Sequence, residues 1–283
     1  MISILICSRT ADIPPRLRDN ISATIGVEYE LVVIDNSQNR YSIFSAYNRG
    51  VEQAKFPYFC FMHDDIVIHT SDWGKKVVSH FERRKEIGCL GILGGHYMPN
   101  TPAYWGDVPA ISGVYISNRN GVRITRREDK YFTVNNEADV VACDGVWFCI
   151  PRKLFVDDGI KFDDELFSGF HYYDMDICFR ILQKGYVNIV ISDVLIEHIE
   201  GTQNSMNENF YSAQKIFFEK WKHDLPKRAG VEIDVLISDF IGKYLEILGA
   251  YHAIENEKNR ITQTKAYRLG KFLLKPFSVL RKK

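Results

Sequence analysis

The chain has 283 residues, of which 46% are apolar and 13% aromatic, and this is enough to build a large buried core. Lys plus Arg and Asp plus Glu both number 36, so the basic excess of a nucleic-acid-binding protein is missing. The N-terminus lacks the basic start and the apolar length of a signal peptide, and no apolar run approaches the ~20 residues that span a bilayer. We therefore expect a cytoplasmic globular protein with no nucleic-acid partner.

The cysteines indicate the same compartment. None belongs to a CxxC pair, and most stand inside apolar runs. This pattern favours buried thiols in a reducing environment over a disulfide framework or a zinc site. The six are Cys7, Cys60, Cys89, Cys143, Cys149 and Cys178.

The first ninety residues alternate between short apolar runs and amphipathic segments. This order predicts a mostly parallel sheet with right-handed helical crossovers, and Asp72 is predicted to cap the third helix. The expected strands are Ile2–Cys7, Leu31–Ile34, Tyr58–Met62 and Cys89–Leu93, and the expected helices are Pro14–Thr24, Ser42–Ala54 and Trp73–Arg84.

Later segments are more varied. An Asn-Gly pair between two strand-like runs predicts a hairpin, and Gly185 is placed to end a helix. The predicted hairpin strands are Ile111–Ser117 and Val122–Thr125. Further strands are expected at Val140–Cys143, Trp147–Ile150, Val187–Ile191 and Val194–His198, and helices at His171–Lys184, Phe210–His223 and Asp234–Leu248.

Polar clusters follow three of the early strands: Ser8–Arg9, Asp35–Asn36 and His63–Asp65. In open α/β sheets, ligands bind beyond the carboxyl ends of the strands. The adjacent carboxylates of Asp64 and Asp65 need a cation nearby, and Mg²⁺ or Mn²⁺ takes such oxygen ligands. The alternative is a helix cap with a solvated turn, although Asp72 is better placed for that.

Two further segments carry candidate functional groups. Asp174 and Asp176 stand near a helix start, where the helix dipole alone can explain them, and Asp176 with Arg180 forms an i,i+4 pair. Asp174 lies at the mouth of the helix, where a carboxylate can accept a proton from a hydroxyl. His198 ends an apolar run; such a histidine is more often structural, but Asp65 needs metal partners.

Seven segments in this order resemble the inverting family 2 glycosyltransferases, and within them a bacterial glycosyltransferase-like branch with His-Asp-Asp. They are ILICSR, VVIDNS, AYNRG, FCFMHDDI, DGVWFCIPRKLF, FDDELFSGFHYYDMDICFRILQKGY and VLIEH. The resemblance implies the Rossmann-like A-type glycosyltransferase fold, with helices flanking a mostly parallel central sheet. It covers about residues 1–200 and implies a catalytic domain at 1–202, with a nucleotide-binding half at 1–95 and an acceptor-binding half at 96–202. The helical pattern of the residues beyond it predicts a helical extension at 203–283.

The resemblance also implies a role for each matching residue. The chain departs from the family at His63, where an acidic residue is usual, and at Tyr173, where Glu is common. The implied set is Asp174 as general base, Ser8, Arg9, Asp35, Asn48 and Asp64 on the donor nucleotide, and Asp65 and His198 on Mg²⁺ or Mn²⁺. Asp144 and His171 are candidate contacts to the sugar or acceptor.

The implied reaction moves a sugar from a nucleotide-diphosphate sugar, usually a UDP-sugar, to a saccharide or lipid-linked acceptor with inversion, in polysaccharide or cell-surface glycan synthesis. One alternative is a nucleotidyltransferase, which the glycine-free Cys7–Thr10 loop disfavours. Another is a non-catalytic sugar-binding protein, which only His63 favours. The tail at 271–283 carries five Lys or Arg and bulky apolar residues, which fits either peripheral contact with an anionic membrane or a packed helix with a solvated basic end.

Overall fold

The computed structural model describes residues 1–107, 110–113, 115–119, 122–126, 129–199, 206–265, 267 and 269. The chain divides into two compact units, Met1–Val231 and Glu232–Lys283. The predicted domain boundary at residue 202 lies outside the described residues and stays a prediction.

Helices and strands alternate through the first half of the larger unit, as predicted. The helices are α1 (Pro15–Thr24), α2 (Ile43–Gln53), α3 (Trp73–Arg83), α4 (Arg152–Val156), α5 (Tyr173–Gln183) and α6 (Glu208–Trp221). The strands are β1 (Ile2–Ser8), β2 (Tyr29–Asp35), β3 (Tyr58–Met62), β4 (Ile66–Ile68), β5 (Ile87–Gly91), β6 (Leu93–Gly95), β7 (Tyr97–Met98), β8 (Ala110–Ser112), β9 (Tyr115–Arg119), β10 (Val122–Arg126), β11 (Glu137–Val140), β12 (Ala142–Cys143), β13 (Trp147–Pro151), β14 (Val187–Ile191), β15 (Ile196–His198) and β16 (Lys227–Arg228).

Seven strands form the central sheet in the order β11-β14-β5-β13-β3-β1-β2. β1, β2 and β3 are parallel to one another, β14 is parallel to β5, and β13 runs antiparallel between β3 and β5. Most strands therefore share one direction. The predicted α/β fold, with a large central sheet, flanking helices and a helical C-terminal segment, is confirmed.

The sheet is buried because its central strands are apolar on both faces. Ile4 and Leu5 point to opposite faces of β1, and both are fully buried. On β3, Phe61 stacks on Phe148 of β13 with ring centroids 5.0 Å apart, and Tyr47 of α2 covers it from one side at 4.9 Å. This packing holds the carboxyl ends of β1 and β3 side by side.

The prediction that the side chain of Asp72 caps α3 is wrong. Asp72 has the left-handed backbone conformation, with φ of 56°, and forms no capping hydrogen bond. Its carboxylate instead lies 2.9 Å from the Lys75 ammonium group. At α2, in contrast, Ser42 has extended backbone and accepts a hydrogen bond from the Ser45 amide at 3.2 Å, as an N-cap should.

A separate four-stranded sheet, in the order β10-β9-β15-β4, was only partly predicted. The hairpin of β9 and β10 is present, although its turn residues Asn120 and Gly121 lie outside the described residues. β15 pairs with β9 on one side and with the unpredicted β4 on the other. In that register His198 stands opposite Ile66, directly after Asp65.

The six cysteines are unpaired, and five of them are buried, as predicted. Cys89, Cys143 and Cys178 cluster in the core. The Cys143 thiol donates to the Ile189 carbonyl at 3.3 Å, and the Cys143 amide donates to the Cys178 sulfur at 3.4 Å. Burial raises the pKa of the Cys89 and Cys143 thiols well above the usual value, which favours their protonated form.

The smaller unit contains α7 (Ile233–Gln263), which extends well beyond the predicted helix Asp234–Leu248. It continues through Gly249, which costs an interior helical position only about 1 kcal/mol. Among the residues the structure describes, no helix is long and apolar enough to cross a bilayer. The basic tail at 271–283 lies outside them.

Candidate active site

A cavity of about 400 Å³ opens beyond the carboxyl ends of β1 and β3 and reaches the start of α5. This is the position that the strand order predicts for a ligand site. Eight of the ten predicted site residues line it: Ser8, Arg9, Asp64, Asp65, Asp144, His171, Asp174 and His198.

Asp35 and Asn48 are not among the lining residues. Asp35 ends β2 opposite Ser8, so it shares the sheet edge, but it is exposed and accepts a hydrogen bond from the Ser37 amide at 2.9 Å. The Asn48 side chain bonds both backbone groups of Phe162, at 2.9 and 3.0 Å. These two bonds use the Asn48 amide group to join α2 to a distant loop. The predicted nucleotide contacts of both residues stay predictions.

The first loop holds Asp64 in place. The Ser8 hydroxyl and the Arg9 amide donate to one carboxylate oxygen of Asp64, at 3.1 and 3.3 Å. The Arg9 guanidinium lies 3.3 Å from the other oxygen, and its side chain is 65% exposed. Arg9 is therefore tied at its backbone while its charge stays available to an anion that enters the cavity.

Asp65 lies at the centre of a group of charged side chains. Its carboxylate is 3.1 Å from Nε2 of His198, 3.8 Å from Nδ1 of His63 and 3.6 Å from the Arg9 guanidinium. Burial opposes ionisation of Asp65, but the hydrogen bond from His198 and the neighbouring charges outweigh it and lower the pKa of this carboxyl. Asp65 is therefore an anion in a partly enclosed site.

The hydrogen bonds of His63 define its tautomer. The Tyr173 hydroxyl donates its one proton to the Gly145 carbonyl at 3.0 Å, so at 3.1 Å it can only accept from Nε2–H of His63. Nδ1 of the neutral ring is then unprotonated and faces Asp65. Burial, with the charge of His198, lowers the pKa of His63, which keeps the ring neutral and suited to bind a cation.

His63, Asp65 and His198 can together hold a metal ion, because one donor atom from each lies within 4.8 Å of the others. Only Asp65 and His198 were predicted as metal ligands, and His63 was interpreted as a departure from the family. One sequence signal did indicate His63 as a metal ligand: it comes directly after β3 and beside a carboxylate pair. The Tyr173 hydroxyl that orients the ring comes from a distant part of the chain.

Asp174 occupies the first turn of α5 and faces the same cavity. Its two oxygens accept hydrogen bonds from the amides of Gly145 and Met175, both at 2.9 Å. Burial, followed by the negative charge of Asp144, raises the pKa of Asp174 well above its usual value. A carboxylate in this state has a greater affinity for a proton than one in water.

Asp144 and an aromatic wall complete the cavity. Asp144 accepts from the Val146 amide at 2.9 Å, and the Tyr104 hydroxyl lies 3.5 Å from its other oxygen. His171 packs against Phe210 with ring centroids 5.5 Å apart, and burial lowers its pKa, so the imidazole is neutral. A wall of rings beside a carboxylate is suited to a ligand with both apolar faces and hydroxyl groups.

Most of the chain matches one protein family. Residues 15–221 match the glycosyltransferase-like family, and the chain therefore belongs to it. The matched segment ends at the last residue of α6. No curated protein matches the chain.

Solved structures of similar fold have low identity to the chain. The structure of GalNAc-T7 with UDP, GalNAc and Mn²⁺ is 13% identical, with a TM-score of 0.47 over 73% of this chain and 44% of that one. The structure of S. aureus TarS 1–349 with UDP-GlcNAc is 15% identical, with a TM-score of 0.48 over 82% of this chain and 67% of that one. A197 from STIV is 15% identical, with a TM-score of 0.40 over 71% and 86%. The chain thus spans less than half of the GalNAc-T7 chain.

Proposed function

We propose that the chain transfers a sugar from a nucleotide-diphosphate sugar to an acceptor hydroxyl, with inversion at the anomeric carbon. The main support is that Asp65 and Asp174, far apart in the chain, line one cavity in opposite electrostatic states. Asp65 is kept ionised beside two imidazoles, whereas Asp174 is held by backbone amides and has a raised pKa. Membership of the glycosyltransferase-like family supports the same reaction class.

The donor set fits a divalent cation, because His63, Asp65 and His198 offer two imidazole nitrogens and one carboxylate oxygen. We favour Mn²⁺ over Mg²⁺, since imidazole ligands suit transition metals and Mg²⁺ prefers an all-oxygen shell. When bound, such an ion stabilises the negative charge of the leaving diphosphate. Arg9 adds a second positive charge on the same side of the cavity.

Asp174 is the proposed general base. Each of its oxygens accepts one backbone hydrogen bond, which leaves further lone pairs for an acceptor hydroxyl. The raised pKa brings the proton affinity of this carboxylate closer to that needed near neutral pH. In the proposed step the acceptor oxygen attacks the anomeric carbon, its proton passes to Asp174, and the bond to the diphosphate breaks.

The two sides of the cavity suggest where each substrate binds. The donor nucleotide, which we take to be uridine, lies against Ser8, Arg9 and Asp64, with Asp35 at the outer rim. The acceptor lies against Asp144 and His171, beside the aromatic wall. We assign this acceptor to polysaccharide or cell-surface glycan synthesis, either as a free saccharide or linked to a lipid. The unpaired cysteines support a reducing, cytoplasmic location.

A donor panel tests this proposal. The full chain is incubated with nucleotide-sugars, Mn²⁺ or Mg²⁺ and candidate acceptors, and released nucleotides are separated by anion-exchange chromatography. We expect a nucleoside diphosphate, with Asp174→Asn as the inactive control, and an inverted anomeric centre by NMR of the product. Release of pyrophosphate would instead identify a nucleotidyltransferase. A donor that stabilises the protein but is never consumed with any acceptor would indicate a non-catalytic sugar-binding protein.

A further inference from the structure

A second cavity, of about 320 Å³, opens at the amino ends of β3 and β5, on the opposite edge of the sheet from the candidate active site. Tyr58 is the first residue of β3, Ile87 the first of β5 and Pro151 the last of the antiparallel β13, so all three lie at that edge. The length of β3, about 13 Å at roughly 3.3 Å per residue, separates this cavity from His63. We call it the Arg152 cavity; its walls include Pro57, Tyr58, Phe81, Pro151, Arg152 and Val156.

Arg152 brings to this cavity a positive charge that no acid of the described chain neutralises. Its backbone is anchored, because the Arg152 amide donates to the Pro57 carbonyl at 2.8 Å. Its side chain is partly buried, and Nε is enclosed without a hydrogen-bond partner among the described residues. The guanidinium group forms no ion pair with them either. Enclosed polar groups in proteins are nearly always paired, so this one is suited to an acceptor that comes from outside the chain.

The other charged side chains at the cavity differ from Arg152 in their surroundings. The Lys85 ammonium group pairs with Glu82 of α3. The Lys153 ammonium group lies over an aromatic ring, 5.1 Å from its centre. Asp157 is exposed and is the one carboxylate among the described lining residues. Three cations against one carboxylate make the lining positively charged, which favours an anionic ligand.

The walls around this charge are mostly apolar. The rings of Tyr58 and Phe81 stack with their centroids 5.0 Å apart, and Pro57 and Pro151 line the same cavity. Val156 is 56% exposed there. A guanidinium group matches the paired oxygens of a carboxylate or a phosphate. An inorganic anion would leave the apolar walls in water, whereas an anion with an attached apolar body would cover them.

We propose that the Arg152 cavity binds a small organic anion, in which a carboxylate or phosphate group pairs with Arg152 and an apolar body covers Pro57 and Val156. The volume fits, since cavities that bind small molecules begin at about 300 Å³. The site lies at the opposite edge of the sheet from the proposed transfer reaction, and its test does not depend on that reaction.

Ligand-detected NMR titration of the full chain tests the proposal with two probes, phenyl phosphate and benzoate. We expect a dissociation constant of about 1 mM or below for the tighter of the two. Benzamide, which lacks the charge, and inorganic phosphate, which lacks the ring, should each bind at least about tenfold more weakly. Tighter binding of phenyl phosphate would support a phosphate ester as the ligand, and tighter binding of benzoate would support a carboxylic acid. Failure of both probes to bind would overturn the proposal.

Three variants locate the binding. Arg152→Gln should weaken the tighter probe at least about tenfold, because it removes the charge-assisted hydrogen bonds. Arg16→Gln is the matched control and should bind as the wild type does, since Arg16 is exposed, has no ion pair among the described residues and lines neither cavity. Arg9→Gln, in the other cavity, should change the affinity less than about twofold. Equal binding by wild type and Arg152→Gln, or a loss confined to Arg9→Gln, would contradict the assignment.

Urea unfolding separates ligand binding from a structural role of Arg152. Arg152→Met removes an enclosed donor that has no acceptor, so without ligand its urea midpoint should equal or exceed that of the wild type. The tighter probe should raise the midpoint of the wild type and leave that of the variant unchanged. A lower midpoint for Arg152→Met without ligand, together with a wild-type response to the probe, would assign this side chain to the fold and end the proposal.

Discussion

Two carboxylates in the first turn of α5 lie two residues apart and have opposite surroundings. Asp174 faces the cavity and is held by two backbone amides. Asp176 faces α6, where it accepts hydrogen bonds from Lys220 at 2.5 Å and from the Trp221 indole at 2.8 Å. Nε of Arg180 donates to the other carboxylate oxygen of Asp176 at 3.0 Å.

Both residues are buried and both profit from the same helix dipole, so neither burial nor position in the helix separates their roles. The partners do. Asp176 is neutralised by two cations and joins α5 to α6, whereas Asp174 has no cation partner among the described residues and has a raised pKa. One carboxylate stabilises the fold, and the other has the raised proton affinity that the proposed general base needs.

The largest expected effect is that of Asp174→Asn. An amide of the same shape cannot accept the acceptor proton, so kcat should fall about 10²- to 10⁴-fold. Donor affinity, measured by calorimetry, should stay within about twofold, because Asp174 lies away from the proposed nucleotide contacts. Asp157→Asn, an exposed carboxylate at the end of α4, is the control and should keep wild-type activity. Normal turnover by the Asp174 variant would disprove its role as base.

Asp176→Asn should act on stability instead. It leaves Lys220 and Arg180 with less negative charge in a buried site, so we expect unfolding free energy to drop by about 3 kcal/mol. Urea unfolding at neutral pH measures this. At temperatures where the variant is folded, its kcat should remain close to wild type. A stable but inactive Asp176 variant would remove the distinction between the two carboxylates.

His63→Ala tests the side chain that sequence analysis did not assign to the metal. Loss of one ligand should raise the Mn²⁺ concentration for half-maximal activity at least about tenfold. Thermal stabilisation by Mn²⁺ should weaken in parallel, which provides a readout besides activity. His223→Ala, exposed beyond the end of α6, should change neither value. An unaltered Mn²⁺ response in the His63 variant would exclude it from the site.

The smallest effect is a shift in pH dependence. Asp174 must be ionised to act as base, so activity should fall as pH drops through its pKa. The charge of Asp144 contributes to raising that pKa. Asp144→Asn removes this charge, and the acidic limb of the kcat profile should therefore move to lower pH with donor and metal saturating. A limb that stays in place would show that another group controls it.

The parts of the fold that depend on local pattern were predictable. β3 begins and ends where its apolar run does. Ser8 is the last residue of β1 and Asp64 and Asp65 follow β3, so their meeting at one sheet edge needed only the strand order. Gly185, with φ of 85°, ends α5 as its sequence position predicted.

The remaining parts depend on contacts between distant segments. β4 has three residues, too few for a periodic pattern, yet its pairing with β15 brings His198 to Asp65. The Asn48 side chain is hydrogen-bonded to the backbone of Phe162, which lies 114 residues away. Asp72 failed as a cap because its backbone is left-handed, which residue type alone does not determine.

The Tyr173 hydroxyl connects the proposed metal site with the proposed general base. It orients His63 through one hydrogen bond and fixes the Gly145 peptide through the other, while the Gly145 amide holds Asp174. Phenylalanine at position 173 would therefore disturb the cation ligand and the proton acceptor together. Residue 173 is therefore one position at which a single change of side chain reaches both groups.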